Sequence, residues 1–213
     1  MQTALLEQLA SKAFTKEQLL KKVEGDFVLF PVLLNGTSSP KAAIRYGCGN
    51  VLMDLSEKYP DKLYPHMDNF IGLLDSKYRI LTWNAMAIIA NLTRVDVEGK
   101  FDAIFDKYYS FLNNEYMVTV ANVVGNSARI ALAKPYLIQK ITAELLKVED
   151  ISLTLHLTAE CKLVIAEKAV KTFDAFFQDL EDKEKVLAFV KRQLDSTRVT
   201  LREQAHVFLT RWG

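Results

Sequence analysis

The sequence predicts an all-α protein, an α-α superhelix of about five helical-hairpin repeats, and three observations carry that prediction. Apolar residues recur at helical spacing over almost every segment, and no segment sustains the alternation of a strand. A short pattern of two apolar residues, a third that is usually small or apolar, and one polar residue returns five times. It reads Val51-Leu52-Met53-Asp54, Ile88-Ile89-Ala90-Asn91, Val123-Val124-Gly125-Asn126, Val164-Ile165-Ala166-Glu167 and Val207-Phe208-Leu209-Thr210. The copies stand about 35 to 43 residues apart, the period of two-helix and three-helix solenoid units. Finally, Pro31, Pro40, Pro60, Pro65, Pro135, Gly36 and Gly99 fall at segment edges or in the first half of a hairpin, where chain breakers belong.

Taken in order, residues 1–25 form an N-terminal cap of two short helices, the second opened by Thr15 with Glu17 and Gln18 before Leu19. This segment lacks the repeat pattern, as the end unit of a stack does when one face stays wetted. The first repeat, 26–58, has a short helix at 26–34, a polar turn at 35–40 and a second helix at 41–58. Gly47-Cys48-Gly49 lies inside that helix, where small residues permit close packing. The second repeat, 61–93, has helices at 61–74 and 78–92 joined by Asp75-Ser76-Lys77. In the third, 96–133, the stretch Phe111-Leu112-Asn113-Asn114-Glu115-Tyr116 echoes Leu73-Leu74-Asp75-Ser76-Lys77-Tyr78. The fourth, 135–180, has helices at 135–147 and 151–168, then a tail at 169–180 that is either a helix of the array or an inserted arm. The fifth, 182–213, repeats the turn as Leu194-Asp195-Ser196. All of 1–213 is expected to be a single solenoid domain.

Composition bounds the function. Half of the 213 residues are apolar, enough for a core along the whole length. The net charge is +1 with Lys and Arg spread over all segments, so no strong non-specific affinity for nucleic acid is implied. Two cysteines, Cys48 and Cys161, sit in apolar helical patterns, which fits a reducing compartment better than a disulfide framework. The first residues lack a secretory pattern, and no apolar run approaches the roughly 18 residues that span a bilayer. A cytoplasmic protein without a membrane partner is expected.

The second repeat carries a family resemblance. Pro65 in its first helix, Asp75 in its turn and Arg79 early in its second helix stand where a HEAT repeat has Pro, Asp and Arg. The stretch 83–92, ending Ile88-Ile89-Ala90-Asn91-Leu92, is similar to the last helix of armadillo repeats. In that family an Asn at the place of Asn91 belongs to a ladder that binds the backbone of an extended peptide. The resemblance covers about 26–213 and implies a right-handed HEAT-like or armadillo-like solenoid. Asn126 repeats Asn91, whereas Asp54, Glu167 and Thr210 depart from the expected Asn.

These features nominate a partner-binding set: Asp54, Trp83, Asn91, Asn126, Glu167 and Arg129. Stacked repeats bring the polar row into register about one helix diameter, ~10 Å, apart, where its groups could bond an extended chain. The same residues could instead cap helices or bond between repeats. Trp83, Tyr46 and Tyr116 lie off the main apolar stripe, the placement of binding anchors or of inter-repeat packing. Arg45, Arg129, Lys162 and Arg202 form either a modest basic strip or a solvated face. His66, His156 and His206 are scattered, and the pair His156 and Glu160 lacks a third ligand, so no metal is expected. No nucleophile elbow or phosphate loop is present, so neither a catalytic residue nor a cofactor is assigned.

The expected function is a non-enzymatic scaffold binding another protein or a peptide segment on its concave face. The alternative is a HEAT-like DNA-binding protein of the alkylpurine DNA glycosylase type, with Trp83, Asp54 and Arg129 in the roles that resemblance implies. A third reading makes the array an architectural subunit of a larger assembly.

Overall fold

The computed structural model describes residues 15–213. The first of the two expected N-terminal helices lies outside the described residues. The helices, in order, are α1 Lys16–Gly25, α2 Phe30–Gly36, α3 Ala42–Lys58, α4 Pro60–Leu63, α5 Met67–Leu73 and α6 Arg79–Leu92. They continue with α7 Lys100–Ser110, α8 Met117–Ala133, α9 Ile138–Leu146, α10 Ala159–Asp174, α11 Glu184–Arg192 and α12 Val199–Trp212. Among the described residues there is no strand ladder, only an isolated bridge between Thr154 and Leu157.

By packing, the chain divides into two compact units, one ending at Lys100 and the other Phe101–Gly213. In the first, α3 lies along α6, with α2 against α3, α5 against α6 and α1 against α3. A capping box opens α1: Gln18 N donates to Thr15 Oγ1 at 3.2 Å and Thr15 N to Gln18 Oε1 at 2.9 Å. Helix α6 is buried at every position from Asn84 to Leu92, so it is apolar nearly all round. In the second unit, α8 lies along α10 and α10 along α12, with α11 against α12. Phe101, Phe105, Tyr108 and Tyr109 fill its opening, and Phe173, Phe177, Phe189 and Phe208 its closing half.

The first helix of a hairpin is short and broken. Single turns of 3₁₀ helix at Phe27–Leu29, Tyr64–His66 and Pro135–Leu137 lead into α2, α5 and α9. Pro31, Pro60, Pro65 and Pro135 each sit in the first or second position of a helical piece. There the missing proline N–H leaves no intrahelical bond unmade, and the ring forces the preceding segment to end. The helix expected across 61–74 is therefore three pieces.

One turn geometry recurs in all five repeats. The side chains of Ser39, Ser76, Asn114, Thr154 and Ser196 accept from the backbone N–H two residues on, at 3.2, 3.2, 3.0, 3.2 and 3.2 Å. In four repeats that N–H belongs to Lys41, Tyr78, Tyr116 or Arg198, the residue before the second helix. Such side-chain turns compete with helix and reverse the chain there. The fourth repeat differs, because the helix expected from 151 does not begin until Ala159. Backbone bonds between Thr154 and Leu157, 3.0 and 3.3 Å, close a loop, and Thr158 caps α10. Helix α10 then runs to Asp174, and Phe176, Phe177 and Leu180 are buried, so 169–180 packs into the core of its unit.

Candidate interaction surface

In the first unit the polar positions are joined across neighbouring helices. Asp54 on α3 holds the Lys16 ammonium of α1 at 2.8 Å. Asn91 on α6 is 7% exposed, and its Nδ2 donates to Ser56 Oγ of α3 at 2.9 Å. Ser56 Oγ in turn donates to Met53 O at 2.6 Å. Asn84 repeats the arrangement one level along, donating to Asn50 Oδ1 at 3.1 Å. Trp83 is half-buried on α6. Arg45 is buried: its Nη1 donates to Ser39 O at 2.7 Å, and its guanidinium lies 3.5 Å from the Tyr78 ring centre. The Arg45 charge thus fastens a turn to a second helix instead of joining a surface strip.

In the second unit Asn126 and Arg129 touch. Asn126 is buried, and its Oδ1 accepts from Arg129 Nη1 at 2.9 Å while Arg129 itself stays exposed. Burial pushes the Tyr108 phenol well above its ordinary range, against the pull of its hydrogen bond to Asn126. Tyr116 stacks on His156 with ring centres 4.6 Å apart. Thr210 is exposed and donates back to His206 O at 2.8 Å, an ordinary helical back-bond.

Glu167 is the most strongly perturbed carboxylate. Burial opposes its ionisation. Lys171 at 2.6 Å, Thr200 at 2.6 Å and Arg198 at 2.8 Å outweigh that cost and hold its pKa at about 2. Arg198 also reaches Glu160 at 2.6 Å.

Beside Glu167 opens a groove of about 310 Å³. Its walls are Met117, Val118, Ala121 and Asn122 of α8, Val164, Glu167, Lys168 and Lys171 of α10, and Arg198. The lining residues fall at helical spacings of three and four, so each helix presents one face to it. Val118 is 40% exposed there. Lys168 crosses α8 at Gly125: a Cβ on Gly125 would stand 2.9 Å from Lys168 Cε and 3.2 Å from its Nζ. The Lys168 residue as a whole is exposed, yet partial burial of its amine, followed by the nearby Lys171 charge, lowers its pKa. A larger recess of about 440 Å³ beside Asn113, Glu115 and Asp150 is walled by turn residues, with Ile151 as its one aliphatic side chain.

Of the residues nominated from sequence, Glu167 lines the groove and Arg129 bonds to Asn126. Asp54, Trp83 and Asn91 belong to the other unit. Val118, Asn122, Val164 and Lys168 were not nominated. Their signal was the helical spacing around Glu167, with Val164 three residues before it and Lys168 directly after. Among the described residues no group of three His, Cys, Asp or Glu is placed to hold a metal ion, and no helix is long and apolar enough to cross a membrane.

No protein-family model matches the chain. No curated protein matches its sequence. Solved structures do match. A designed armadillo repeat protein aligns with a TM-score of 0.62 at 19% identity, over 98% of this chain and 92% of its own. A second designed armadillo repeat protein, in complex with the peptide (KR)4, aligns with a TM-score of 0.67 at 16% identity, over 100% of this chain and 92% of its own. An engineered protein aligns with a TM-score of 0.59 at 14% identity, over 98% and 88%. At such identities the likeness speaks for the fold: the chain is an all-α solenoid of armadillo or HEAT type with about five repeats.

Proposed function

We propose that this protein is a non-enzymatic interaction module that binds an extended segment of another protein. The observation that carries the reading is the groove between α8 and α10. It has an apolar floor and flanking charges, as a chain-binding surface requires. The armadillo-type fold supports it, since one structural neighbour is itself in complex with a peptide. A cytoplasmic setting accords with the free thiols of Cys48 and Cys161.

Within this reading the nominated residues divide by what each exposes. Trp83 and Arg129 offer contact area, and Glu167 fixes the groove's charge pattern. Asp54 and Asn91 act from behind, each committed to a neighbouring helix, while Asn126 is buried and holds Arg129 on its own helix.

The test is selection of linear peptides from a displayed random library, followed by affinity measurement against Val118→Asp and Trp83→Ala. Helicity and melting of both variants are checked first. Val118→Asp is expected to weaken groove-selected peptides at least about ten-fold, because it sets a charge on the apolar floor. Equal binding by that variant, or failure to select any linear peptide, overturns the reading. An oligonucleotide bound with a steep salt slope instead favours the DNA-binding alternative.

A further inference from the structure

We infer that the groove between α8 and α10 takes an acidic segment, with one Asp or Glu side chain seated on Lys168 and an apolar neighbour on Val118 and Val164. This rests on the peptide-binding reading above and adds the chemistry of the ligand.

Four charged side chains line the groove, and three are already satisfied. Glu167 gives Oε1 to Lys171 and Oε2 to Arg198 and Thr200. Lys171 is thereby neutralised, and Arg198 is shared between Glu167 and Glu160. Among the described residues Lys168 is the charged lining group that has no ion pair. A basic segment finds no carboxylate with an open oxygen here and meets the Lys168 ammonium at close range. A carboxylate meets an unsatisfied cation whose amine is already drawn partly out of water, where a charge-assisted bond is worth more than at a free surface.

Lys168 also has room to lie across the neighbouring helix. Gly125 lets its stem cross α8, where any Cβ would collide with Cε and Nζ. Next to it Asn122 spends Nδ2 on Val118 O at 2.8 Å, which leaves its carbonyl oxygen as an acceptor for a backbone N–H of an extended chain. The floor of Val118, Ala121 and Val164 suits an aliphatic side chain beside the acidic one.

The experiment is parallel selection of linear peptides on the wild type and on Lys168→Glu, with circular dichroism and melting curves to establish that both are folded. Wild-type selections are expected to enrich Asp or Glu at one position next to an aliphatic residue. Those peptides should lose about ten-fold to a hundred-fold in affinity on Lys168→Glu and keep most of it on Lys168→Arg. Lys168→Glu selections should enrich Lys or Arg at the same position. If wild-type peptides carry no acidic preference and bind Lys168→Glu unchanged, the inference is overturned while the peptide-binding reading stands. If neither protein selects a peptide, both fall.

Discussion

Asn91 on α6 reaches back 35 residues to donate to Ser56 Oγ on α3 at 2.9 Å, and both groups are buried. The bond ties one repeat to the previous one by a polar contact inside an apolar interface. A buried amide left without its partner costs about 1 to 3 kcal/mol. Asn91→Ala and Ser56→Ala are each expected to destabilise the protein in that range. The double variant should be less destabilised than the sum, since the pair acts as a unit. Urea denaturation of all four proteins checks this. An Asn91→Ala protein with unchanged midpoint and lost peptide affinity would assign Asn91 to the ligand instead.

Glu167 makes the protein acid-sensitive in a definite window. Its folded pKa, about 2, lies below the ordinary value of 4.5, so its contribution is fully present above about pH 4.5 and is lost as pH falls toward 2. The melting temperature of the wild type should fall across that window. Glu167→Gln should be less stable at neutral pH, show a shallower slope between about 4.5 and 2, and converge with the wild type at the acid end. Parallel slopes would show that Lys171, Thr200 and Arg198 do not couple to Glu167 in solution.

Two helical glycines predict opposite outcomes for the same substitution. At Gly49 a Cβ would meet Asn84 Oδ1 at 2.9 Å and Leu81 Cδ2 at 3.0 Å, both on buried residues of a packed helix. Gly49→Ala is expected to cost about 1 to 3 kcal/mol through overpacking. At Gly125 the obstruction is the flexible end of Lys168, which swings away cheaply. Gly125→Ala should leave stability unchanged or raise it by up to about 1 kcal/mol from helix propensity. Its peptide affinity should fall as Lys168 loses its seat. Melting curves and peptide titrations read both.

The two thiols should report separately. Cys48 is wholly buried, and burial pushes its pKa up to about 12, while Cys161 is partly accessible and receives a hydrogen bond from Thr158. Iodoacetamide at neutral pH should modify one thiol per native chain and two in denaturant. Modification of Cys48 should follow the opening of α3 from α6 and should accelerate in Asn91→Ala. Equal native rates for the two thiols would contradict the packing of that unit.

The helical class and the second helices were legible in the sequence because their apolar stripes are long and periodic. Residues 79–92, for example, carry one to the end. The loop at 151–158 was misread as helix because its residues are apolar enough to continue a stripe, and only the Thr154–Leu157 closure breaks it. The side-chain turns at Ser39, Ser76, Asn114, Thr154 and Ser196 were half-legible. Ser76, Asn114 and Ser196 were seen within the recurring turn motif and Ser39 within the polar turn 35–40, but Thr154 was placed in a helix.

The sequence by itself determined the period, the helical class and the place of each polar residue along a helix. Those follow from local rules, since backbone geometry alone sets which positions share a face. Tertiary structure decided which polar residues are spent and which remain to act. Glu167 reads like Asp54 in a one-dimensional pattern, yet it is surrounded by three donors brought from 4, 31 and 33 residues away. Lys168, undistinguished in sequence, keeps an unpaired charge in a groove because Gly125 on another helix leaves room for its stem. Satisfaction of a charge depends on neighbours across the interface, and helix-to-helix register, which local periodicity does not encode, places those neighbours.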